Sequence, residues 1–268
     1  MALLDKEILN MEEAAELFGV SVKTFIKLLK EEKVPARKIG REWRFSRKAL
    51  IDWISAGDSQ AYSSSEADVK EFFNKVAPEW EKISKDYYDE TISSKLIQSG
   101  ILKKGMTVLD MGAGDGYLSR AIAGHVNKVI AVDISAAMLK ELTKKAKSSK
   151  INNIAVLEAD GIDVPLEDSC IDVICSSMFL HHIEEPQNSI KEMYRLLKKG
   201  GSVFIADFTE HNDLEMKEKM HDIWCGFPDG VMEKWLEDTG FKNIKFEKIK
   251  KPDEQMDKPG IFILTAEK

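Results

Sequence analysis

A glycine-rich turn between an apolar strand and an amphipathic helix constrains the fold of this chain more than any other feature. The predicted strand ends at Asp110, and the turn after it carries three glycines, Gly112, Gly114 and Gly116. Strand, glycine turn and helix let a ligand approach bare backbone at a helix N-terminus. A second predicted strand ends at Asp133, where a nucleotide-binding sheet places the carboxylate that binds a ribose. The motif therefore predicts an α/β sheet with a ligand site beside this turn.

The chemistry of the turn favours a cationic ligand over a dinucleotide. In the nicotinamide-type fingerprint the third glycine would fall at position 117, which is a tyrosine in this chain. Asp110 and Asp115 make the turn acidic, whereas a diphosphate needs a clear phosphate cradle. The sequence therefore predicts a ligand with a sulfonium and an ammonium group.

With Asp110-x-Gly-x-Gly-x-Gly116 and Asp133 in place, this region resembles a class I S-adenosylmethionine-dependent methyltransferase of the ubiquinone/menaquinone-biosynthesis type. The resemblance implies a Rossmann-like seven-stranded α/β sheet over residues 69–268, with S-adenosyl-L-methionine as the cofactor. The strands beyond Asp133 are predicted at residues 154–160, 171–176, 202–208, 241–248 and 260–266.

The resemblance also implies roles for individual residues. Asp133 would bind the ribose hydroxyls, with Ile134 and Met138 against the adenine. Asp160 would accept a hydrogen bond from the adenine amino group, and the stretch that begins at Ser176 would hold the methionine part. The complete set of cofactor-binding residues that it predicts is Tyr88, Asp110, Gly112, Ala113, Gly114, Asp133, Ile134, Met138, Asp160, Gly161, Ser176 and His181.

The first 57 residues form a separate module that begins with two short helices. Asn10 with Glu13 three residues later predicts a capping box at the start of the first helix. Ser21 caps a second helix, whose apolar residues recur at helical spacing, at Val22, Phe25, Ile26 and Leu29. Two short helices at this spacing indicate a helix-turn-helix.

A basic hairpin and a third helix follow. Residues 34–45 alternate about a hairpin tip at Gly40–Arg41, which predicts a wing. Ser46 caps a closing helix with four residues predicted to face inward, Ala49, Leu50, Trp53 and Ile54. Residues 34–48 carry six basic side chains and one acidic one, whereas residues 1–57 together have a net charge of only +2. The positive charge is therefore concentrated on the wing.

This module resembles the excisionase-type winged helix, which is related to the mercury-resistance-regulator family, in the pieces Glu13–Ser21, Pro35–Gly40 and Trp43–Ser46. The resemblance implies DNA binding, with the second helix in the major groove and the wing on phosphate or the minor groove. The predicted DNA contacts are Lys23, Thr24, Lys27, Arg37, Lys38, Arg41 and Arg44. One such module buries only roughly 600–1,000 Å², so specific binding is expected to use a homodimer. A module for protein contacts is the alternative.

Two stretches separate this module from the first core strand. Residues 58–68 are small and polar, which predicts a flexible linker. The next segment is predicted to be helical and, by resemblance, to fold over the cofactor. Its aromatic lid candidates are Phe73, Trp80, Tyr87 and Tyr88, of which we assign only Tyr88 to the cofactor.

Composition bounds the partners and the compartment. The net charge of −7 argues against wholesale coating of nucleic acid. Three cysteines without C-x-x-C spacing predict reduced thiols. The first residues lack the layout of a signal peptide and no apolar run reaches membrane-spanning length, so a cytoplasmic protein without a membrane partner is expected.

The methyl acceptor is expected to bind at the insertion after the fifth strand. Methylation of a nucleobase is disfavoured, because Ser176–Phe179 lacks the Pro-Pro-aromatic motif and none of the seven prolines precedes a cysteine. The candidate bases, which the sequence does not rank, are His181, His211 and His221. No metal site is predicted, because His211, His221 and Cys225 would all come from one loop.

Three functions remain open at this point. The first is an enzyme that methylates a small molecule, with a DNA-binding module that localises it or regulates its operon. The second is a transcription regulator whose methyltransferase fold senses the cofactor or a metabolite. The third is a protein or nucleic-acid methyltransferase guided by the module. The intact cofactor residues and the aromatic insertion favour the first function, and the sequence does not specify its acceptor.

Overall fold

The computed structural model describes residues 6–31, 34–40, 42–55, 60–85, 90–249 and 259–268. The chain divides into two units, Met1–Ser64 and Ser65–Lys268. Among the described residues, no helix has the length and apolar character that crossing a membrane requires.

In the described residues before residue 56, the smaller unit has three helices and three strands. Its elements are β1 (Ile8–Leu9), α1 (Met11–Leu17), α2 (Val22–Glu31), β2 (Arg37–Ile39), β3 (Glu42–Ser46) and α3 (Arg47–Ser55). The strands form an antiparallel sheet in the order β1-β3-β2. The predicted capping box is confirmed, because Asn10 Oδ1 accepts from the Glu13 N–H and the Glu13 carboxylate accepts from the Asn10 N–H, both at 2.9 Å.

Aromatic packing forms the core of this unit. The fully buried rings of Phe25 and Phe45 meet edge to face with their centroids 5.2 Å apart, which joins α2 to the sheet. The inward orientation predicted for Ile54 is wrong, because 55% of its surface is exposed. Val22 and Ile26 on α2 are also more than one-third exposed. These side chains flank the narrow stripe that a short amphipathic helix buries.

The linker predicted at residues 58–68 is helical from residue 60 onward. Helix α4 spans Gln60–Val76. Between Gly57 and Pro78 the sequence contains no glycine or proline, so nothing in this small, polar stretch breaks a helix. The prediction of a flexible joint, which rested on composition alone, therefore missed the helix that starts at residue 60.

Seven strands form the sheet of the larger unit. They are β4 (Thr107–Met111), β5 (Lys128–Asp133), β6 (Ile154–Glu158), β7 (Ile171–Ser177), β8 (Leu197–Phe208), β9 (Lys242–Ile249) and β10 (Ile261–Glu267). Their order is β6-β5-β4-β7-β8-β10-β9. Strands β4 to β8 are parallel, and β10 pairs antiparallel with β8 and β9. The predicted Rossmann-like seven-stranded sheet is confirmed, including its closing antiparallel pair.

Helices cover both faces of this sheet. They are α5 (Trp80–Ser84), α6 (Thr91–Gln98), α7 (Tyr117–Ile122), α8 (Ala136–Ser148), α9 (Pro186–Leu196), α10 (Leu214–Met220) and α11 (Val231–Thr239). Because successive strand residues point to opposite faces, Val108 packs with Leu96 and Leu118, whereas Leu109 packs with Met193 and Leu236. Strand β4 is therefore buried on both faces of the sheet.

The strand order creates a crevice at the carboxyl end of β4. The chain proceeds from β4 outward to β5 and β6, and then returns to add β7 on the opposite side of β4. In open α/β sheets, ligands bind in the crevice at such a reversal. The turn after β4 lies at this point.

Candidate active site

The three glycines of the turn each serve a distinct purpose. Gly112, Gly114 and Gly116 all have positive φ, at 73°, 52° and 81°, a region that residues with a Cβ rarely adopt. A Cβ on Gly112 would collide with the Phe179 ring, and a Cβ on Gly116 with the Leu142 side chain. A Cβ on Gly114 would meet no heavy atom closer than 3.8 Å. The backbone at Gly114 is therefore the part of the turn open to a ligand.

Asp133 is held at the end of β5 beside this turn. Its Oδ2 accepts a hydrogen bond from the Gly114 N–H, and its Oδ1 accepts one from the Ser135 N–H, both at 2.8 Å. Burial raises the pKa of Asp133 to about 6. The carboxylate thus has a fixed orientation, with lone pairs left to accept hydroxyl groups of a ligand.

The turn is less acidic than the sequence suggests. Asp110 is buried and accepts a hydrogen bond from Ser119 Oγ at 2.6 Å, and burial, with a contribution from the nearby Asp133, raises its pKa to about 6. Asp115 pairs with Lys145 Nζ at 2.5 Å, and the same amine contacts Glu81 at 2.7 Å. Lys145 therefore offsets the negative charge that we expected at Asp115.

We call the cavity above the turn the glycine cleft. It encloses about 970 Å³ of empty space including its open mouth, enough for a ligand the size of a nucleoside. Nine of the twelve predicted cofactor-binding residues line it, namely Asp110, Gly112, Ala113, Gly114, Asp133, Ile134, Met138, Asp160 and Gly161. Ser176 is buried, and its neighbour Ser177 lines the cleft instead. Tyr88 lies outside the described residues.

Sequence reasoning missed Phe179, whose ring lies against the floor of the glycine cleft. A Cβ on Gly161 would lie 2.5 Å from this ring, so the ring occupies the space that Gly112 and Gly161 leave. Gly161 was the available signal, because a glycine after a strand-end acid indicates the close approach of a neighbour. Two of the lid candidates, Phe73 and Trp80, also line the cleft, with their rings 5.2 Å apart.

A second cavity, which we call the insertion pocket, adjoins the glycine cleft. It has about 280 Å³ of empty space including its open mouth, and it is lined by Trp80, Met178, His181, His182, Phe208, Met216, Met220 and Asp222. Helix α10 supplies Met216 and Met220, and Asp213 caps this helix by accepting from the Met216 N–H at 2.9 Å. Trp80, Met178 and His182 line both cavities. The pocket is therefore apolar except for two histidines and one carboxyl group.

Asp207, at the end of β8, anchors the first of these histidines. Its carboxylate accepts from the Leu180 N–H at 3.0 Å and from the Phe208 N–H at 2.7 Å. Its Oδ1 also lies 2.6 Å from His181 Nδ1. Since an ionised carboxylate only accepts, the Nδ1 of His181 carries the proton of this bond. The other ring nitrogen, Nε2, is therefore directed away from Asp207.

Asp222 completes what we call the histidine–aspartate cluster, which comprises His181, His182, Asp207 and Asp222. Its Oδ1 lies 3.5 Å from His181 Nε2 and 3.4 Å from His182 Nδ1. Burial raises the pKa of Asp222 to about 6 and lowers the pKa of His182 well below its usual value. Burial also opposes protonation of His181, but the neighbouring Asp207 and Asp222 raise its pKa. The cluster thus combines the neutral imidazole of His182 with the carboxyl group of Asp222, whose pKa is raised toward neutral pH.

Two other predicted base candidates lie elsewhere. His211 Nδ1 accepts from the Asp213 N–H at 3.2 Å. His221 ends α10 and lies against Phe72, with the ring centroids 4.5 Å apart. Neither lines the glycine cleft or the insertion pocket. Of the three candidates, His181 alone lines the insertion pocket, whereas His182, which we had not assigned, lines both cavities.

The predicted DNA contacts that the structure describes lie on the surface of the smaller unit. Lys23, Lys38 and Arg37 are exposed, and Arg37 pairs with Arg44 across β2 and β3. Residues that pair in this way project from the same face of a hairpin, and the Arg44 guanidinium also contacts the Glu42 carboxylate. Thr24 is exposed at the start of α2 and shares a 2.8 Å hydrogen bond with Ser21. The Lys27 side chain and Arg41 lie outside the described part of the chain.

Comparisons with known protein families match two parts of the chain. Residues 109–205 match the methyltransferase domain, and residues 8–58 match a helix-turn-helix domain. The ubiquinone/menaquinone biosynthesis C-methyltransferase of Escherichia fergusonii is 32% identical over 116 residues, which are 42% of this chain and 46% of that protein. The chain thus spans about half the length of the curated relatives that it matches.

Solved structures with the same fold include different activities. A SAM-dependent methyltransferase from Aquifex aeolicus matches with a TM-score of 0.55 and 24% identity, covering 69% of this chain and 96% of its own. The [4+2]-cyclase SpnF matches with a TM-score of 0.63 and 15% identity, covering 75% of this chain and 94% of its own. These similarities show the fold, and the chemistry has to be argued from the site.

Proposed function

We propose that this chain methylates a small, largely apolar acceptor with S-adenosyl-L-methionine, since residues 109–205 match the methyltransferase domain and residues 8–58 match a helix-turn-helix domain. The observation that supports this most is the junction of the two cavities, where Trp80, Met178 and His182 line both. A methyl donor in the glycine cleft would face an acceptor in the insertion pocket.

The residues of the glycine cleft fit the cofactor. Asp133 has lone pairs for the ribose hydroxyls, the bare backbone at Gly114 admits close approach, and Ile134 and Met138 offer an apolar wall for the adenine. Trp80 adds an aromatic face, which attracts a cation. When bound, S-adenosyl-L-methionine supplies an electrophilic methyl group.

The histidine–aspartate cluster fits an acceptor that loses a proton. Methyl transfer is an in-line displacement, so a water-free pocket that orients the acceptor atom supplies much of the rate. A hydroxyl group or an acidic carbon also needs a proton acceptor, and His182 Nδ1 and the Asp222 oxygens offer lone pairs without hydrogen-bond partners among the described residues. The quinone-biosynthesis name of the Escherichia relative points to the same kind of acceptor, a hydroxylated aromatic ring.

The test is a turnover assay that separates acceptor classes. Formation of S-adenosylhomocysteine would be measured with the full chain and a panel of hydroquinones and phenols, and with host extract split into metabolite and macromolecular fractions. We expect turnover with the panel or the metabolite fraction, and at least about tenfold less with His182→Ala. His125→Ala is the matched control, because His125 is exposed and outside both cavities.

Two outcomes would count against this proposal. Turnover only with the macromolecular fraction would favour a protein or nucleic-acid methyltransferase. Cofactor binding without turnover in any fraction would favour a sensor. Calorimetric titration with S-adenosylhomocysteine separates the second outcome from a damaged preparation, because a sensor still binds the ligand.

The helix-turn-helix match supports a second role, binding of DNA by residues 1–57, with residues 69–268 as the enzyme. The paired Arg37 and Arg44 on the hairpin would contact phosphate. If the chain regulates transcription, the cofactor and DNA must change each other's affinity by the same factor. Fluorescence anisotropy of labelled DNA with and without S-adenosylhomocysteine measures this factor. A factor of one would mean that the module localises the enzyme on DNA but that the cofactor does not regulate its binding.

A further inference from the structure

A buried carboxylate without hydrogen-bond partners is the starting point of this inference. The Asp222 side chain is 1% exposed, and neither of its oxygens accepts a hydrogen bond from any described residue. Leaving a buried charged group unsatisfied costs several kcal/mol. The carboxylate therefore needs a ligand that these residues do not themselves provide.

Two imidazole nitrogens face the same carboxylate. His181 Nε2 points away from Asp207, because Nδ1 makes the hydrogen bond to that residue. His182 Nδ1 is buried and has no hydrogen-bond partner among the described residues, while the His221 backbone hydrogen-bonds the ring. Two histidine nitrogens and a carboxylate thus converge on one point.

The distances from Asp222 Oδ1 to the two imidazole nitrogens suit metal coordination better than hydrogen bonding. The distances of 3.4 and 3.5 Å from Asp222 Oδ1 to the two nitrogens exceed the usual N–H···O range. Two ligand atoms that each lie about 2.1 Å from a tetrahedral ion are about 3.4 Å apart. The ligand atoms of His181, His182 and Asp222 all lie within 4.8 Å of one another, and they form the one such group found among the described residues.

We propose that His181 Nε2, His182 Nδ1 and the Asp222 carboxylate bind a first-row divalent cation such as Zn²⁺. Imidazole and carboxylate ligands suit these ions, and three protein ligands leave a position for an outside group. Metal-binding histidines are commonly oriented by a carboxylate that accepts from the other ring nitrogen, and Asp207 does this for His181.

The surrounding backbone holds the three ligands in place. The N–H groups of Ile223 and Trp224 both donate to the His181 carbonyl, at 2.9 and 3.0 Å. The Trp224 indole N–H donates to the Ile183 carbonyl at 2.9 Å. These bonds join the segment after Asp222 to the segment that carries both histidines, although about 40 residues separate them in sequence. The ligands are therefore preorganised before an ion arrives.

The ion would face the insertion pocket, whose walls here are Phe208, Met216 and Met220. With the ion bound, the lone pairs of His182 Nδ1 and Asp222 are used for coordination, and the ion instead would promote proton loss by lowering the pKa of an acceptor oxygen at the remaining position. This consequence rests on the proposed function, whereas the binding of the ion does not. Metal binding and methyl transfer are for that reason measured separately.

The experiment uses the untagged full chain after dialysis against a chelator. Titration with Co²⁺ would be followed by its visible absorption, which is strong for tetrahedral sites, and Zn²⁺ competition and elemental analysis would give affinity and stoichiometry. We expect one ion per chain, with affinity at least about 100-fold lower for Asp222→Ala and about 10- to 100-fold lower for Asp207→Asn.

Two control variants test the alternative ligands in the same segment. His221→Asn keeps a residue that tolerates the left-handed backbone at this position, and Cys225→Ser removes the nearby thiol. Both should bind Co²⁺ as the unaltered chain does. Retained binding of S-adenosylhomocysteine by Asp222→Ala would show that this variant folds, and Asp222→Asn replaces it if it does not.

The proposal is overturned by two results. One is a full chain that retains no ion in elemental analysis and gives no tetrahedral Co²⁺ spectrum. The other is binding that Asp222→Ala or Asp222→Asn leaves unchanged while His221→Asn or Cys225→Ser removes it. Methyl transfer that proceeds after complete chelation would leave the ion's binding intact but remove its role in the reaction.

Discussion

The glycine cleft and the insertion pocket adjoin each other but are built in opposite ways. The cleft is assembled from short, consecutive motifs at the ends of parallel strands, so its backbone geometry is encoded locally. The pocket brings together Trp80, His181 and Asp222 from three distant segments. The form of the cleft thus depends on a few glycines in one turn, whereas the form of the pocket depends on long-range packing.

The two cavities also differ in how their carboxyl groups are satisfied. Asp133 accepts two backbone hydrogen bonds at 2.8 Å, one from the glycine turn after β4 and one from Ser135 just beyond its own strand. Asp222 accepts none from the described residues. The carboxylate of Asp133 is thus satisfied without a ligand, whereas that of Asp222 is not. This difference suggests that changes in the cleft will act on cofactor affinity and changes in the pocket on turnover.

The largest effect is expected from Gly112→Val. The new side chain would collide with the Phe179 ring and would have to adopt φ of 73°, a conformation that costs about 1–3 kcal/mol even without a collision. We expect affinity for S-adenosylhomocysteine to fall at least about 100-fold, or about 2.7 kcal/mol, as measured by calorimetry. Gly124→Ala is the control, since its Cβ would meet nothing within 4 Å. If both variants bind S-adenosylhomocysteine equally well, the backbone geometry at Gly112 does not determine binding in the cleft.

A substitution in the insertion pocket should separate turnover from cofactor affinity. Met216→Phe adds volume beside His182 and Asp222, where the pocket holds about 280 Å³. We expect kcat/KM for the acceptor to fall about tenfold, or 1.4 kcal/mol, with affinity for S-adenosylhomocysteine within about threefold. Leu214→Phe on the same helix is the control, because Leu214 is 69% exposed. A large loss of cofactor affinity in Met216→Phe would mean that the cavities act as one site.

The pH dependence of cofactor affinity tests Asp133. Its pKa of about 6 in the folded protein means that the carboxyl group gains a proton, and loses acceptor capacity for ribose hydroxyls, as pH falls through 6. Affinity for S-adenosylhomocysteine should therefore drop about tenfold between pH 7.5 and pH 5. Asp133→Asn should bind weakly with a flatter profile. If it keeps the full pH dependence, the titrating group is Asp110, whose pKa is also about 6.

Protonation of Asp133 should weaken cofactor binding but stabilise the folded chain. The raised pKa means that the folded state binds the proton more readily than the unfolded state, where the value is 3.8. The contribution of Asp133 to the free energy of unfolding should thus increase as pH falls from about 6 to about 4. Comparison of urea unfolding of the unaltered chain and Asp133→Asn across this range measures that contribution. A contribution that decreases there would contradict the raised pKa.

The smallest effect is expected in the smaller unit, where binding would rest on exposed charge. Arg37→Ala and Arg44→Ala each remove one guanidinium group from the hairpin. Each should reduce DNA affinity a few-fold and reduce the slope of log affinity against log salt by about 1. Fluorescence anisotropy at several salt concentrations gives the slope. Lys234→Ala in the larger unit is the control, and an unchanged slope in both arginine variants would favour a module for protein contacts.

The cleft could be predicted from the sequence more fully than the pocket, because its motifs are local. The strand pattern and the three glycines predicted an α/β sheet with a ligand site beside the turn, because strand alternation and glycine turns are local features. The resemblance to methyltransferases supplied the nine predicted residues that line the cleft. His182 was not predicted, since its proximity to Asp222 depends on hydrogen bonds between residues about 40 positions apart. The helix at residues 60–68 was also missed, because small polar residues favour neither state strongly.

The insertion that forms the pocket wall starts and ends at one place on the sheet. The Phe227 N–H donates to the Phe208 carbonyl and the Glu210 N–H donates to the Phe227 carbonyl, both at 3.0 Å. A Cβ on Gly226 would collide with the Thr209 carbonyl, so the two ends meet closely. During divergence, residues 210–225 can therefore lengthen, shorten or be exchanged while β8 keeps its register. Such exchange would alter the wall that Met216, Met220 and Asp222 contribute to the pocket, while the turn after β4 would keep its geometry.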